Sequence, residues 1–235
     1  MRNKIITSFF CLLLAVSALA GLVVPDRYYS EREKRTLTQK PQFTITGFIF
    51  GKFSDELEDY RTDHHWTSLG AYYAYCAWRG IEPTAGEWTQ EVLCDNFRGT
   101  TWNKVSLPTV PAEEITAWYR HADRHVSYND GQYETDSIHE RKYLSGSDQY
   151  AVFLNSNQAQ TVIEGSGKGG RLLLIKDSYG NSFAQFPAED YAEVHVLDLR
   201  FFKGDVTECA RENGITDALV LYGTQNFVKD TNLTF

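Results

Sequence analysis

The run Leu172-Leu173-Leu174-Ile175 breaks off into Lys176-Asp177-Ser178-Tyr179-Gly180, and this junction constrains the fold more than any other stretch of the chain. A continuous apolar run without polar alternation is the pattern of a strand buried on both faces. Two further strands, one carrying Val194, Val196, Leu197 and Leu199 and one Ala218-Leu219-Val220-Leu221-Tyr222, follow with helical spacers between them. A short apolar segment, Tyr150-Ala151-Val152-Phe153-Leu154, reads as another strand upstream. Strands alternating with helices predict an α/β fold: a layered parallel sheet with flanking helices.

Upstream of the sheet the punctuation is clear in places. Thr67 or Ser68 can cap a helix in which Leu69, Tyr72, Tyr73 and Cys76 recur at helical spacing, and Gly80 ends it. Residues 81–111 carry Pro83, Pro108, Pro111 and several glycines, so mostly loop with short strands is expected. A second helix is predicted from Pro111 to about His121, because Glu113 and Glu114 suit a first helical turn. Asn129-Asp130-Gly131, flanked by Val126 and Tyr133, signals a hairpin.

Composition narrows the function classes. An apolar content of 42% over 235 residues suffices for a core, and 23% charged residues excludes wholesale disorder. The net charge of −8 and the lack of any basic cluster beyond the first residues argue against nucleic acid as a partner. Only residues 5–24 are apolar over a length that could cross a bilayer, which excludes a multi-span membrane protein. Arg2 and Lys4 precede that run and Ala18-Leu19-Ala20 lies before Gly21, so residues 1–24 read as a signal peptide or membrane anchor. The rest of the chain is then extracytoplasmic, secreted or anchored. Residues 25–59 form a polar lead-in or tether, and residues 60–235 the α/β domain. Outside the leader stand Cys76, Cys94 and Cys209, an odd number with no zinc-ligand spacing, and a Cys76–Cys94 bridge is optional.

Two segments carry candidate chemistry. Ser178 follows a buried strand, where α/β sheets bind ligands, and precedes a predicted helix whose free N–H groups and dipole would suit an oxyanion. The alternative is that Ser178 merely caps that helix. Asp63 and His65 stand two apart, so in an extended segment they share a face. The carboxylate can then fix the imidazole tautomer and leave the other ring nitrogen free for a proton. His64 points the opposite way. A serine needs a base, and a histidine base works best when oriented by a carboxylate, so the three residues complete one another.

The strings "TDHHWTSLGAYYAY" and "LLLIKDSYGNSF" resemble those of the bacterial DHHW protein family, which is itself similar to SGNH-hydrolase-like, alginate O-acetyltransferase-type proteins of cell envelopes. The resemblance implies Asp63 and His65 as acid and base and Ser178 as nucleophile. It also implies acyl transfer: a covalent acetyl-serine forms from an acyl donor and is passed to a polysaccharide hydroxyl or to water. The Ser178 N–H is one oxyanion donor on this reading, and Asn181 or Asn155 is a candidate for the second, although asparagine is also common in turns. No cofactor and no metal are implied; a membrane-bound acyl-transfer partner is compatible with the reading. The chain departs from the pattern in one place: only Arg61 and Thr62 separate "GKFSDELEDY" from Asp63, where the relatives carry a longer segment. An incomplete sheet is the consequence to look for.

Other readings compete. His121 and His125 have metal-like spacing on a predicted helix, without the glutamate of a zinc protease. Asp63-His64-His65 is also found in metal phosphoesterases, but no apolar strand precedes it here. A non-catalytic envelope protein, glycan-binding or an inactive truncated family member, could use Trp66, Trp78, Trp88, Trp102 and Trp118 as stacking surfaces; Trp66 and Trp118 read rather as core.

Overall fold

A computed structural model describes residues 28–30, 35–37, 59–105, 109–121 and 124–231. The predicted signal or anchor lies outside the described residues, as does most of the lead-in. Among the described residues no helix is long and apolar enough to cross a membrane. The chain divides into two compact units, Met1–Phe53 and Ser54–Phe235. In the first, β1 (Tyr28–Ser30) pairs antiparallel with β2 (Arg35–Leu37), Tyr28 opposite Leu37.

The second unit opens with an isolated bridge between Asp59 and Trp66 that closes a short loop. Helix α1 (Ser68–Arg79) follows as predicted. The Thr67 side chain accepts from the Gly70 N–H, and Gly80 ends the helix at φ 65°, a left-handed conformation open to glycine at little cost. Next come β3 (Thr89–Phe97) and α2 (Thr100–Val105), in a region expected to be mostly loop. The segment predicted as a second helix is instead β4 (Glu113–Tyr119), antiparallel to β3. Its Ile115, Ala117 and Trp118 are buried, and a β-branched and aromatic stretch gains more from that pleated face than its acidic start gains from a helix dipole.

The hairpin is observed: β5 (Val126–Tyr128) and β6 (Tyr133–Thr135) flank a turn in which Asn129, Asp130 and Gly131 all have positive φ. The predicted strand at residues 150–154 is absent. A 3-10 turn, Gln149–Val152, stands there, and Phe153 only bridges to His139. The following residues, Leu154, Asn155 and Ser156, are all left-handed, which no strand tolerates. The remaining elements are β7 (Gln160–Glu164), β8 (Gly169–Lys176), α3 (Gly180–Phe183), β9 (Tyr191–Leu197), α4 (Val206–Glu212), β10 (Asp217–Leu221) and α5 (Thr224–Phe227).

The main sheet has strand order β10-β8-β9-β7-β5-β6. The expected parallel sheet is present over β10, β8 and β9, but β7, β5 and β6 join antiparallel, so the fold is mixed α/β. Within the antiparallel half only β5 and β6 form a hairpin; β7 lies between β5 and β9, antiparallel to both. The apolar run in β8 faces two cores. Leu172 and Leu174 pack with α1 residues Ala71, Tyr72 and Tyr75, while Leu173 and Ile175 pack with Leu197, Leu199 and the α4 side. Each such side chain taken from water contributes about 1.5–3 kcal/mol. A third cluster joins Tyr60, Phe97, Ile115, Tyr150 and Phe153 beside the main core. The described cysteines Cys76, Cys94 and Cys209 are free thiols.

Candidate active site

The loop closed by the Asp59–Trp66 bridge presents Asp63 and His65 inward, both buried. Its backbone is bent rather than extended, so the shared face expected from strand geometry is not how the pair meets. Asp63 Oδ1 instead accepts the His65 N–H at 3.1 Å, a side chain standing in for a backbone turn. Glu113 of β4 fixes the loop from outside: its carboxylate accepts the N–H groups of Arg61 and Thr62 at 2.9 and 2.8 Å and the Thr62 hydroxyl at 2.6 Å.

Three side chains converge. His65 Nδ1 lies 2.5 Å from Asp63 Oδ1, and His65 Nε2 lies 2.8 Å from Ser178 Oγ, 113 residues further along the chain. Asp63 Oδ2 accepts the Thr100 N–H at 2.7 Å and the Thr100 hydroxyl at 2.9 Å. Burial alone pushes the Asp63 carboxyl pKa up, but the hydrogen bond and charge of His65, with the Thr100 N–H, hold it far below the usual carboxylate range. The His65 ring is enclosed on both faces: Tyr150 stacks at 3.9 Å between centroids and 6° between planes, and His64 lies at 3.9 Å, tilted by 39°. His64 Nδ1 is turned to the Thr100 hydroxyl, 3.0 Å away, so it is not the histidine that meets the serine.

Ser178 caps no helix: α3 starts at Gly180 after Tyr179, without a side-chain cap. With a single turn, α3 also offers little dipole for the oxyanion role expected of it. What the turn does offer is an N–H. The Tyr179 N–H is taken by Asp177 Oδ1 at 2.9 Å and the Gly180 N–H by the Asp177 carbonyl, whereas among the described residues no acceptor takes the Ser178 N–H. Asp177, fully buried, holds this turn to the segment after β10: its Oδ2 accepts the Gly223 N–H at 3.1 Å and the Asn226 amide. Beneath it, Lys176 is buried with its Nζ 3.4 Å from Asp198, which Arg200 also binds through Nε at 2.8 Å and Nη2 at 2.5 Å. Burial lowers the Lys176 pKa against the pull of Asp198.

The side chains of the two asparagines have other partners. Asn181 Nδ2 donates to Ser156 O and Asn157 Oδ1, at 3.4 and 3.3 Å, and Asn155 Oδ1 accepts from the Tyr143 hydroxyl at 2.9 Å. The Asn181 N–H donates to the Ser178 carbonyl at 3.3 Å, but among the described residues neither asparagine side chain is hydrogen-bonded to Ser178 or His65. Residues that carry no sequence signal of their own complete the site: Thr100, Glu113, Tyr150 and Asn226 reach it only through the fold.

The metal-like pair separates. His121 Nδ1 meets Glu189 Oε2 at 2.8 Å, while His125 lies nearest Glu134 and Asp136, and neither is on a helix. Asp63, His64 and His65 do offer ligand atoms within 4.8 Å of one another. A cation there would have to displace the hydrogen bonds that orient His64 and His65. Of the five tryptophans, Trp88 and Trp118 are buried and so line the core, and Trp66 donates its indole N–H to Tyr179 O and Ser182 Oγ, each at 3.0 Å.

Comparison with curated proteins returned no relative. Among solved structures the chain is similar to a DHHW family protein from Eubacterium siraeum, with 27% identity and a TM-score of 0.64, over 76% of this chain and 63% of that one. It thus spans under two thirds of that protein's length. Bacillus cereus PatB1 shares the fold in two structures, one carrying a sulfonyl adduct (19% identity, TM-score 0.61, 80% of this chain and 69% of that) and one without it (17%, 0.60, 85% and 74%). The family profile of the DHHW protein matches residues 48–197, the stretch that holds Asp63, His65 and Ser178. The chain belongs to the DHHW protein family.

Proposed function

We propose that this protein is a serine-dependent O-acyl transferase or esterase of SGNH-hydrolase-like type, acting on a cell-envelope polysaccharide from an extracytoplasmic position. The observation that carries this reading is the relay Asp63–His65–Ser178, with contacts of 2.5 and 2.8 Å between buried side chains. Such a relay has one evident chemical use, the activation of a hydroxyl.

In the proposed reaction His65 Nε2 takes the Ser178 proton while Oγ attacks an acyl carbonyl carbon. The carbonyl electron pair moves onto oxygen, where the Ser178 N–H is the proposed donor. Collapse of the tetrahedral intermediate breaks the bond to the leaving alkoxide, which receives the proton from His65, and leaves acyl-serine. A polysaccharide hydroxyl or water then attacks, losing its proton to His65, and the serine is regenerated. Asp63, ionised throughout, balances the imidazolium. Asn181 could join the oxyanion site only by releasing Ser156 and Asn157. The sulfonyl adduct on PatB1 supports the reading at the level of the fold, since sulfonyl electrophiles are captured by activated nucleophiles.

The test is release of p-nitrophenol from its acetate ester, with mass spectrometry of the acylated intermediate. Ser178→Ala abolishes both release and the acetyl adduct; unchanged turnover in that variant places the nucleophile elsewhere.

A further inference from the structure

The proposed reaction makes a cation of a ring that is shut away from water. His65 is buried, its edges engaged by Asp63 and Ser178. Asp63 compensates one edge only. The faces belong to His64 from the same loop, to Tyr150, and at 5.1 Å to the tilted ring of Tyr179. Of these only Tyr150 lies parallel, its plane within 6° of the imidazole.

Tyr150 is itself immobilised. It is buried, its hydroxyl lies 3.0 Å from Ser182 Oγ, and Tyr60 and Phe153 pack against its ring. Ser182 also receives the Trp66 indole N–H, so the tyrosine is anchored to the residue that follows His65. Burial keeps the phenol neutral, and a neutral aromatic face is negative at its centre.

We propose that Tyr150 is a positioning residue for the reaction put forward above: its ring holds the His65 imidazole in the plane joining Asp63 to Ser178 and lays a π face on the cation formed when the serine proton arrives. The inference rests on that functional reading for its charge component and on geometry for its clamping component. A cation over an aromatic face gains most where water is excluded, and rotation of the imidazole by a few tens of degrees would misdirect Nε2.

The test is a series at one position: Tyr150→Phe, the same phenyl ring carrying one, two and three fluorine atoms by suppression, and Tyr150→Leu. Fluorine drains the ring face of electron density and leaves its shape almost unchanged. With p-nitrophenyl acetate, kcat falls stepwise along the fluorinated series, reaching about a tenfold loss relative to Tyr150→Phe at the third fluorine with KM unchanged. A second readout needs no turnover. The low-field proton NMR signal of the Asp63–His65 hydrogen bond stays sharp through the fluorinated series and broadens in Tyr150→Leu. A flat kcat across the fluorinated ring overturns the charge role whatever Tyr150→Leu does. If the parent protein cleaves no ester, the function above fails on its own, and an unbroadened signal in Tyr150→Leu separately overturns the clamp.

Discussion

Gly99 lies directly against the carboxylate of Asp63. A Cβ built on Gly99 would sit 2.3 Å from both Asp63 Cβ and Oδ2, inside any permitted contact. The backbone at Gly99 is therefore one wall of the site, and Thr100, the next residue, supplies two of the hydrogen bonds to that carboxylate. Gly99→Ala must push Asp63 away from His65. Ester turnover drops about a hundredfold, since small misplacements of oriented groups cost that much, and the melting curve shows a loss of about 1–3 kcal/mol. Turnover equal to the parent's would mean the carboxylate has no fixed place.

Asp63→Asn keeps the size and removes the charge. The amide cannot balance an imidazolium, and it can turn its NH2 to His65 and impose the wrong tautomer. In the proposed mechanism kcat falls by about three to four orders of magnitude while the fold persists. The folded-state carboxyl is held far below its unfolded value of about 3.9, so Asp63 adds stability above that pH and loses it as the pH falls further. Ester turnover measures the first effect, and chemical denaturation of parent and variant at neutral and acid pH the second.

A separate acid-sensitive contact lies away from the triad. Glu189 is buried with Arg124, accepts the Arg120 N–H at 2.9 Å and meets His121. Burial raises its carboxyl pKa, but these partners outweigh that and bring it down to about 2. A depressed carboxyl stabilises the fold above its unfolded pKa and loses that contribution as the pH falls toward the folded one. Glu189→Gln is then less stable than the parent near neutrality, by on the order of 3 kcal/mol, and the gap closes between about pH 4.5 and pH 2. A gap that stays constant down to acid pH would assign the effect to packing alone.

Two cations share Asp198, and they are not equivalent. Arg200 binds it through two nitrogens, while Lys176 reaches one oxygen at 3.4 Å and has its amine pKa lowered by burial. Lys176→Met therefore leaves stability within about 1 kcal/mol of the parent, because Asp198 keeps its guanidinium. Arg200→Met costs about 3 kcal/mol or more. Equal losses in urea titrations of the two variants would contradict this ranking.

The sequence made α1 legible through its cap at Thr67 and stop at Gly80, and β8 through its unbroken apolar run. It also contained the three triad residues, because a serine after a buried strand and a histidine near a carboxylate are local patterns. The failures are equally physical. Pro111 and the two glutamates mimic a helix start, but Glu113 is spent on the N–H groups of Arg61 and Thr62. Tyr150 sits in an apolar string that resembles a strand, yet three left-handed residues follow it. No local pattern says that residue 150 covers residue 65, or that Asn226, beyond the family match, grips Asp177. Those relations arise from packing between distant segments.

The loop carrying Asp63 and His65 closes on itself, but its partner hydroxyl arrives 113 residues later. Helix α1, which follows that loop, packs on β8, so neither side of the site is complete until the later strands exist. Covalent labelling of Ser178 by an active-site reagent should consequently count only molecules in which the two segments have met, and so serve as a census of finished chains in a mixture.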